Sequence, residues 1–327
     1  MERTLEIDFT ICGIEVDQPY EGTSISVAMR ELEYGGKRLS NCIHLQYRAS
    51  VAPDTTLSEQ EYINRVLLEE RHLPLQSLSL LLNRPSRYLG HKARLDGIDV
   101  KLKLPRQDFP LGLYNVVAMW DRPLTTIRYS SAVHNDRWPL LETLVSEFRQ
   151  KPTALRKRLT LPLRWFTKAA DEMASLDRLV AFWISFNALY ADPYKHERDA
   201  IRSYIKIDVD PFIAQRHIDS NEQLLLTLSS LPIELRGGRQ IAQELAQALK
   251  ASPRNYTNVV EIAALTIYGI RCALFHGECD PDSEDDQKHI RVAERLLSRL
   301  VRELIAKQML GYPLTTTKFA THEKLGP

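Results

Sequence analysis

The sequence predicts a two-domain α+β protein, with a β-rich mixed domain over residues 1–136, an all-α helical bundle over 137–310 and a flexible tail over 311–327. Three observations carry this. Period-2 apolar alternation is confined to the first part of the chain, every later periodic segment has helical spacing, and the segment Asn258 to Gly277 is apolar on nearly every side. A helix without a broad polar face belongs inside a domain, so this last segment is the expected centre of the second one.

Taken in order, Leu5, Ile7, Phe9 and Ile11 alternate within a strand from Arg3 to Val16. Ser24 to Glu31 and Cys42 to Arg48 repeat the pattern around a Gly35-Gly36 turn, which predicts a β-meander. Leu57 to Glu70 switches to helical spacing behind a Ser58–Glu61 capping box. Strands return at Ile98 to Leu104, Leu113 to Met119 and Thr125 to Ser130. Trp138 to Phe148 is an amphipathic helix at the domain boundary, which is expected between His134 and Lys151. Further helices follow at about 175–190, 198–206, 222–231 and 240–250. Then come the central helix and a last one over about 287–310, whose stripe is Ile290, Ala293, Leu297, Leu300 and Leu304.

With 44% hydrophobic and 26% charged residues among 327, the composition is that of an ordinary globular protein. The opening MERTLEIDFT has neither a basic nor an apolar leader region, and no apolar run approaches the ~20 residues of a bilayer span, so a cytoplasmic protein is expected. Cys12, Cys42, Cys272 and Cys279 form no CxxC pair, which fits a reducing compartment better than a disulfide framework.

The net charge of +1 is unevenly spread. Residues 149–164 hold six bases and no acid, and residues 278–286 hold six acids and no base. The plain expectation is a solvated linker for the first and a solvated loop for the second. The alternative for the basic run, through Arg156, Lys157, Arg158 and Arg164, is a surface that tracks phosphates.

In the central helix an unpaired charge costs several kcal/mol, so Arg271 and His276 stand out. At ~100° per residue, Glu261, Tyr268 and Cys272 fall near one line, with Arg271 and His276 on either side and roughly 140° apart. Gly277 marks the helix end, where exposed carbonyls favour a cationic His276.

Arg271-Cys-Ala-Leu-Phe-His276 resembles the R-x4-6-H motif of the HEPN superfamily. The surrounding IRCALFHGE is similar to ApeA-like HEPN domains, and Phe182 to Tyr190 (FWISFNALY) resembles their earlier core helix. The resemblance covers roughly Leu176 to Leu310. It implies a metal-independent endoribonuclease that needs no cofactor and acts as a homodimer whose motif strips face each other across a cleft. It implies also that RNA is cleaved through the ribose 2′-OH to 2′,3′-cyclic phosphate and 5′-OH ends, in bacterial anti-phage defence or a toxin system, with an antitoxin or a phage-derived trigger as a further partner. Arg271 and His276 would be catalytic, and Glu261, Tyr268, Cys272 and Asn187 would support them. Relatives commonly carry Asn at the position of Cys272 and Glu at that of Asn187. These departures give the alternative, a non-catalytic HEPN-type scaffold that binds RNA or a protein.

Two rival chemistries are weaker. Cys272, His276, Cys279 and His289 could hold zinc, but no tight CxxC or HxxxH knuckle is present, and no metal is expected. Asp99-Val100-Lys101 has the D-x-K form of a restriction-type nuclease, but Asp54, the acid that precedes it, sits in a turn leading into the capped helix. Absence of GxxxxGK[ST], GxGxxG and GxSxG leaves P-loop, dinucleotide and α/β-hydrolase chemistry without support.

Overall fold

The computed structural model describes residues 2–12, 14–34, 37–82, 87–101, 103, 131–133, 136–172, 174–190, 196–233, 240–278, 280 and 282–311. The expected strands 113–119 and 125–130 and the expected tail beyond Gly311 lie outside these. The chain forms two compact units, Met1–Arg149 and Gln150–Pro327.

In the first unit β1 (Arg3–Cys12), β3 (Tyr20–Glu21), β4 (Ile25–Tyr34), β5 (Lys37–Val51), β6 (Arg87–Leu95) and β7 (Ile98–Val100) make an antiparallel sheet in the order β3-β4-β5-β1-β6-β7. β2 (Ile14–Val16) pairs in parallel with β8 (Ser131–Val133). The expected meander is corrected: β4 and β5 are a hairpin, but β1 lies between β5 and β6. Register explains why. Ile7, Phe9 and Ile11 stand opposite Tyr47, Leu45 and Ile43, all buried, so β1 and β5 share one apolar face. The other face carries a charge ladder in which Glu6 and Asp8 meet Arg48, His44 and Arg94.

This register also sets Cys12 opposite Cys42, and the two form a disulfide. That corrects the expectation drawn from cysteine spacing, because cross-strand pairing, not sequence proximity, brings the thiols together.

Helices α1 (Glu59–Glu70) and α2 (His72–Leu82) follow β5, and the Ser58–Glu61 capping box is present. Helix α3 (Arg137–Gln150), which the sequence groups with the bundle, falls mostly within the first unit. Its polar residues show what holds it there. Glu142 accepts from Tyr20 and Ser24, while Arg149 pairs with Glu70, which accepts from the buried Tyr47 hydroxyl. Asp54 accepts from Thr56 and pairs with Arg65. These partners pull its carboxyl down to about 2 and fix a turn, not a nuclease strand.

The second unit holds α4 (Thr153–Asp171), α5 (Ser175–Tyr190), α6 (Glu197–Asp208), α7 (Pro211–Asp219), α8 (Glu222–Ser229), α9 (Ile241–Lys250), α10 (Tyr256–His276) and α11 (Glu284–Leu310). α10 is the expected core helix, buried from Val259 to Ile267 and again at Gly269 and Ile270. By length and hydropathy it could cross a membrane, but 61% of that window is buried inside the protein, as in a core helix. Glu284, Asp285 and Asp286 of the acidic run form the first turn of α11, where the helix dipole favours them.

The basic run is not a linker. Leu159 and Leu163 within it, and Phe166 and Ala170 just beyond it, recur at helical spacing and are buried, so the charges decorate the outside of α4.

A buried polar cluster joins α7 to α11: Asn221 donates to the His217 carbonyl and accepts from Arg299. Burial, with Arg299 nearby, lowers the His217 imidazole to about 4. Its folded-state pKa therefore lies below the ordinary 6.5, and the unfolded chain takes up a proton first as pH falls. Stability conferred by the neutral ring is complete above about pH 6.5 and is lost as pH drops toward 4, by up to ~3 kcal/mol at ~1.4 kcal/mol per pKa unit. Thermal denaturation between pH 7 and pH 4.5 should show this loss for the wild type, and a shallower one for His217→Gln.

Candidate active site

A cavity of about 240 Å³ opens between α4, α5 and α10. α5 contributes Val180, Trp183, Ile184, Asn187 and Ala188, α4 contributes Leu161, and α10 contributes Arg271 and Phe275. Two of the expected site residues, Arg271 and Asn187, thus line one cavity although 84 positions (271 minus 187) separate them in sequence.

Helix geometry sets the α10 side. Arg271 and Phe275 are i and i+4, and the guanidinium lies 4.5 Å from the Phe275 ring centroid. The helix then stops in a Schellman turn. Gly277 takes φ 71°, its N–H donates to the Leu274 carbonyl, and the Glu278 N–H donates to that of Ala273. This ending leaves Phe275 59% exposed at the cavity mouth and His276 exposed on the last turn.

The acid beside Arg271 is Glu197, at the first residue of α6, with Nη1 to Oε2 at 3.9 Å. Its other oxygen accepts from Tyr190 at 3.2 Å and from Asn187 and Trp183 at 3.4 Å each. Three donors, spaced four and three residues apart along α5, therefore hold the carboxylate that faces the arginine. Burial, reinforced by the Glu197 charge, raises the Tyr190 hydroxyl far above its usual value and keeps it a donor. Arg271 Nε is buried without an acceptor, so the guanidinium is only partly satisfied.

The remaining expected residues fall elsewhere. Glu261 lies apart from the cavity: it pairs with Arg202 and Lys206 of α6 at 3.4 and 3.5 Å, ten residues or ~15 Å along the helix from Arg271. Tyr268 packs on Trp183 and bonds to Cys272, and burial first, then that bond, pushes its hydroxyl up to about 12. Cys272 is half-buried and is not a cavity wall. His276 does not line the cavity, and no hydrogen bond joins it to Arg271, consistent with their angular separation on the helix. His289 lies 3.7 Å from Asp286, and Cys279 is outside the described residues. Among the described residues no three His, Cys, Asp or Glu side chains gather into a metal-binding cluster.

On α4, Lys157, Arg158 and Arg164 are exposed and Arg156 is half-buried. Leu161 lies four, three and three positions from the exposed three, so a helix sets them around the residue that borders the cavity.

Comparisons with protein-family models, with curated proteins and with solved structures return no match.

Two features were not anticipated. Glu197 carries no sequence signal, since its role depends on tertiary packing that sets the first turn of α6 against α5. The α4 helix did carry one, the Leu159–Leu163–Phe166 spacing beneath the charges.

Proposed function

We propose that the helical unit is a metal-independent endoribonuclease of the HEPN kind, acting as a homodimer in bacterial anti-phage defence or a toxin system. The observation that supports it most is the cavity. The arginine of the HEPN-like motif lines it together with Asn187, and the exposed bases of α4 flank it at Leu161.

In this reading the ribose 2′-oxygen attacks the neighbouring phosphorus as the bond to the 5′-oxygen breaks. His276 takes the 2′ proton or returns a proton to the departing 5′-oxygen, a role suited to histidine as a residue type. Arg271 holds the non-bridging phosphate oxygens and offsets their growing charge. The Glu197 carboxylate stands 3.9 Å from Nη1, so terminal guanidinium N–H groups remain for a phosphate.

A second reading, a scaffold that binds RNA or a protein without cutting, is favoured by the lack of a direct Arg271–His276 contact in the single chain and by the engagement of Cys272 with Tyr268. Incubation of the purified protein with RNA in a chelator separates the two, since only the first yields cleavage.

Wherever the helical unit binds RNA, cutting it or not, the α4 face is a contact. Replacing Lys157, Arg158 and Arg164 together by Gln should weaken RNA binding and flatten the plot of log affinity against log salt by about 2 units, at ~0.7 per lost phosphate contact on a single strand. An unchanged slope in a fluorescence-anisotropy titration would remove α4 from the interface.

A further inference from the structure

We infer that the cavity between α4, α5 and α10 is a nucleobase-binding subsite, taking the flat ring of one nucleotide while Arg271 meets its phosphate. This rests on the RNA reading of the same site and extends it from phosphodiester chemistry to base recognition.

The lining is the first reason. Leu161, Val180, Ile184, Ala188 and the rings of Trp183 and Phe275 make most of the wall, and only Asn187 and Arg271 are polar. A phosphate gains nothing from such a wall, whereas a base does, because every base has a flat π-face that stacks on an aromatic side chain. Size is the second. At about 240 Å³ the cavity lies below the ~300–1,000 Å³ of sites for drug-sized ligands and suits a single base with part of its sugar.

Chemistry at the two polar residues is the third. Asn187 donates one amide N–H to Glu197 at 3.4 Å, and its carboxamide carries a second N–H and Oδ1 beyond that bond. An adjacent donor and acceptor match the N7 and N6 edge of adenine. The guanidinium stacked on Phe275 covers one face of that ring, and its 59% exposure leaves area for a base. A positive group, an aromatic face and an amide edge thus converge within one cavity, the combination a mononucleotide satisfies in all its parts. A hydrophobic peptide segment would fill the apolar wall but offer no anionic or hydrogen-bonding group to the Arg271 guanidinium and the Asn187 carboxamide.

The test is ligand-observed saturation-transfer NMR on the full chain with AMP, CMP, GMP, UMP and inorganic phosphate as separate probes. Expected are saturable binding of AMP in the millimolar range or tighter, strongest transfer to the base protons, and weaker binding of the pyrimidine nucleotides. Inorganic phosphate should compete only weakly. Filling the cavity with Val180→Phe, or separately with Ala188→Leu, should weaken AMP by tenfold or more. Both positions are half-buried, and an unchanged melting curve confirms folding. No saturable binding of any mononucleotide, phosphate binding as tight as AMP, or insensitivity to both fillers in folded protein overturns the subsite. A protein that cleaves RNA but binds no mononucleotide keeps the ribonuclease reading and loses the subsite, and the converse result does the opposite.

Discussion

Arg271→Ala and His276→Ala should each lower RNA cleavage by at least ~100-fold while moving the melting temperature by no more than about 4 °C. The expected loss of rate is the usual contribution of a positioned proton-transfer group or of a donor aimed at transition-state charge. The stability half follows from the surroundings of Arg271. Its ion pair with Glu197 spans 3.9 Å, with the two side chains 28% and 25% exposed. Such a pair contributes ~0–1 kcal/mol, and the contact with Phe275 adds ~0.5–1 kcal/mol at a site open to solvent. Against these stands the buried Nε without an acceptor, whose cost Arg271→Ala removes. His276 is exposed and supports no packing, so its loss costs still less. Rate and stability should therefore separate. A large fall in melting temperature alongside lost activity would assign both residues to the scaffold.

Glu294→Ala should do the reverse, lowering the melting temperature by about 6–12 °C without touching the cavity. Glu294 of α11 accepts from Arg178 Nε of α5 at 3.0 Å, with the two side chains 8% and 18% exposed. Removing one partner of a buried pair strands the other charge, at ~3–5 kcal/mol. At about 2–4 °C per kcal/mol for a unit of this size, the lower end of that range gives the stated shift. Arg178 also lies 5.6 Å from the Phe182 ring centroid, so it cannot swing to water without leaving a packed aromatic. The double variant Arg178→Met, Glu294→Leu should recover most of the loss, because apolar groups of similar volume are often neutral or better at such positions. Calorimetry on the three variants checks both statements.

The contrast between these pairs shows what could be seen in the sequence. α5, α10 and α11 were placed to within a few residues because one continuous apolar pattern defines each of them. The division into a strand-bearing and a helical part followed from the change of period. α3 was grouped with the bundle because amphipathicity tells that a helix has an apolar face but not which surface covers it. Glu142 and Arg149, which tie it to the first unit, look like ordinary surface charges. The Cys12–Cys42 link depends on strand register, and the Glu197 hub depends on how α6 packs against α5.

Within the candidate site, Arg271 and Asn187 were legible from the motif and the core helix it resembles, and they do share a cavity. Glu261 was chosen because it shares a helical line with Tyr268 and Cys272, but that line runs past two neighbours. Its N-terminal part faces α6, where Arg202 and Lys206 neutralise Glu261, and only the last turns border the cavity. The basic run was legible as charge and misleading as structure, because its apolar stripe is spaced for a helix while its composition suggests solvent.

The central claim is that this site cuts RNA without a metal. The purified full chain should be incubated with RNA in excess EDTA and the new ends analysed. Cleavage undiminished by the chelator, leaving 2′,3′-cyclic phosphate on one side and 5′-OH on the other, and lost in Arg271→Ala, is the predicted result. RNA that stays intact, or cleavage that EDTA abolishes or that leaves 5′-phosphates, would contradict it.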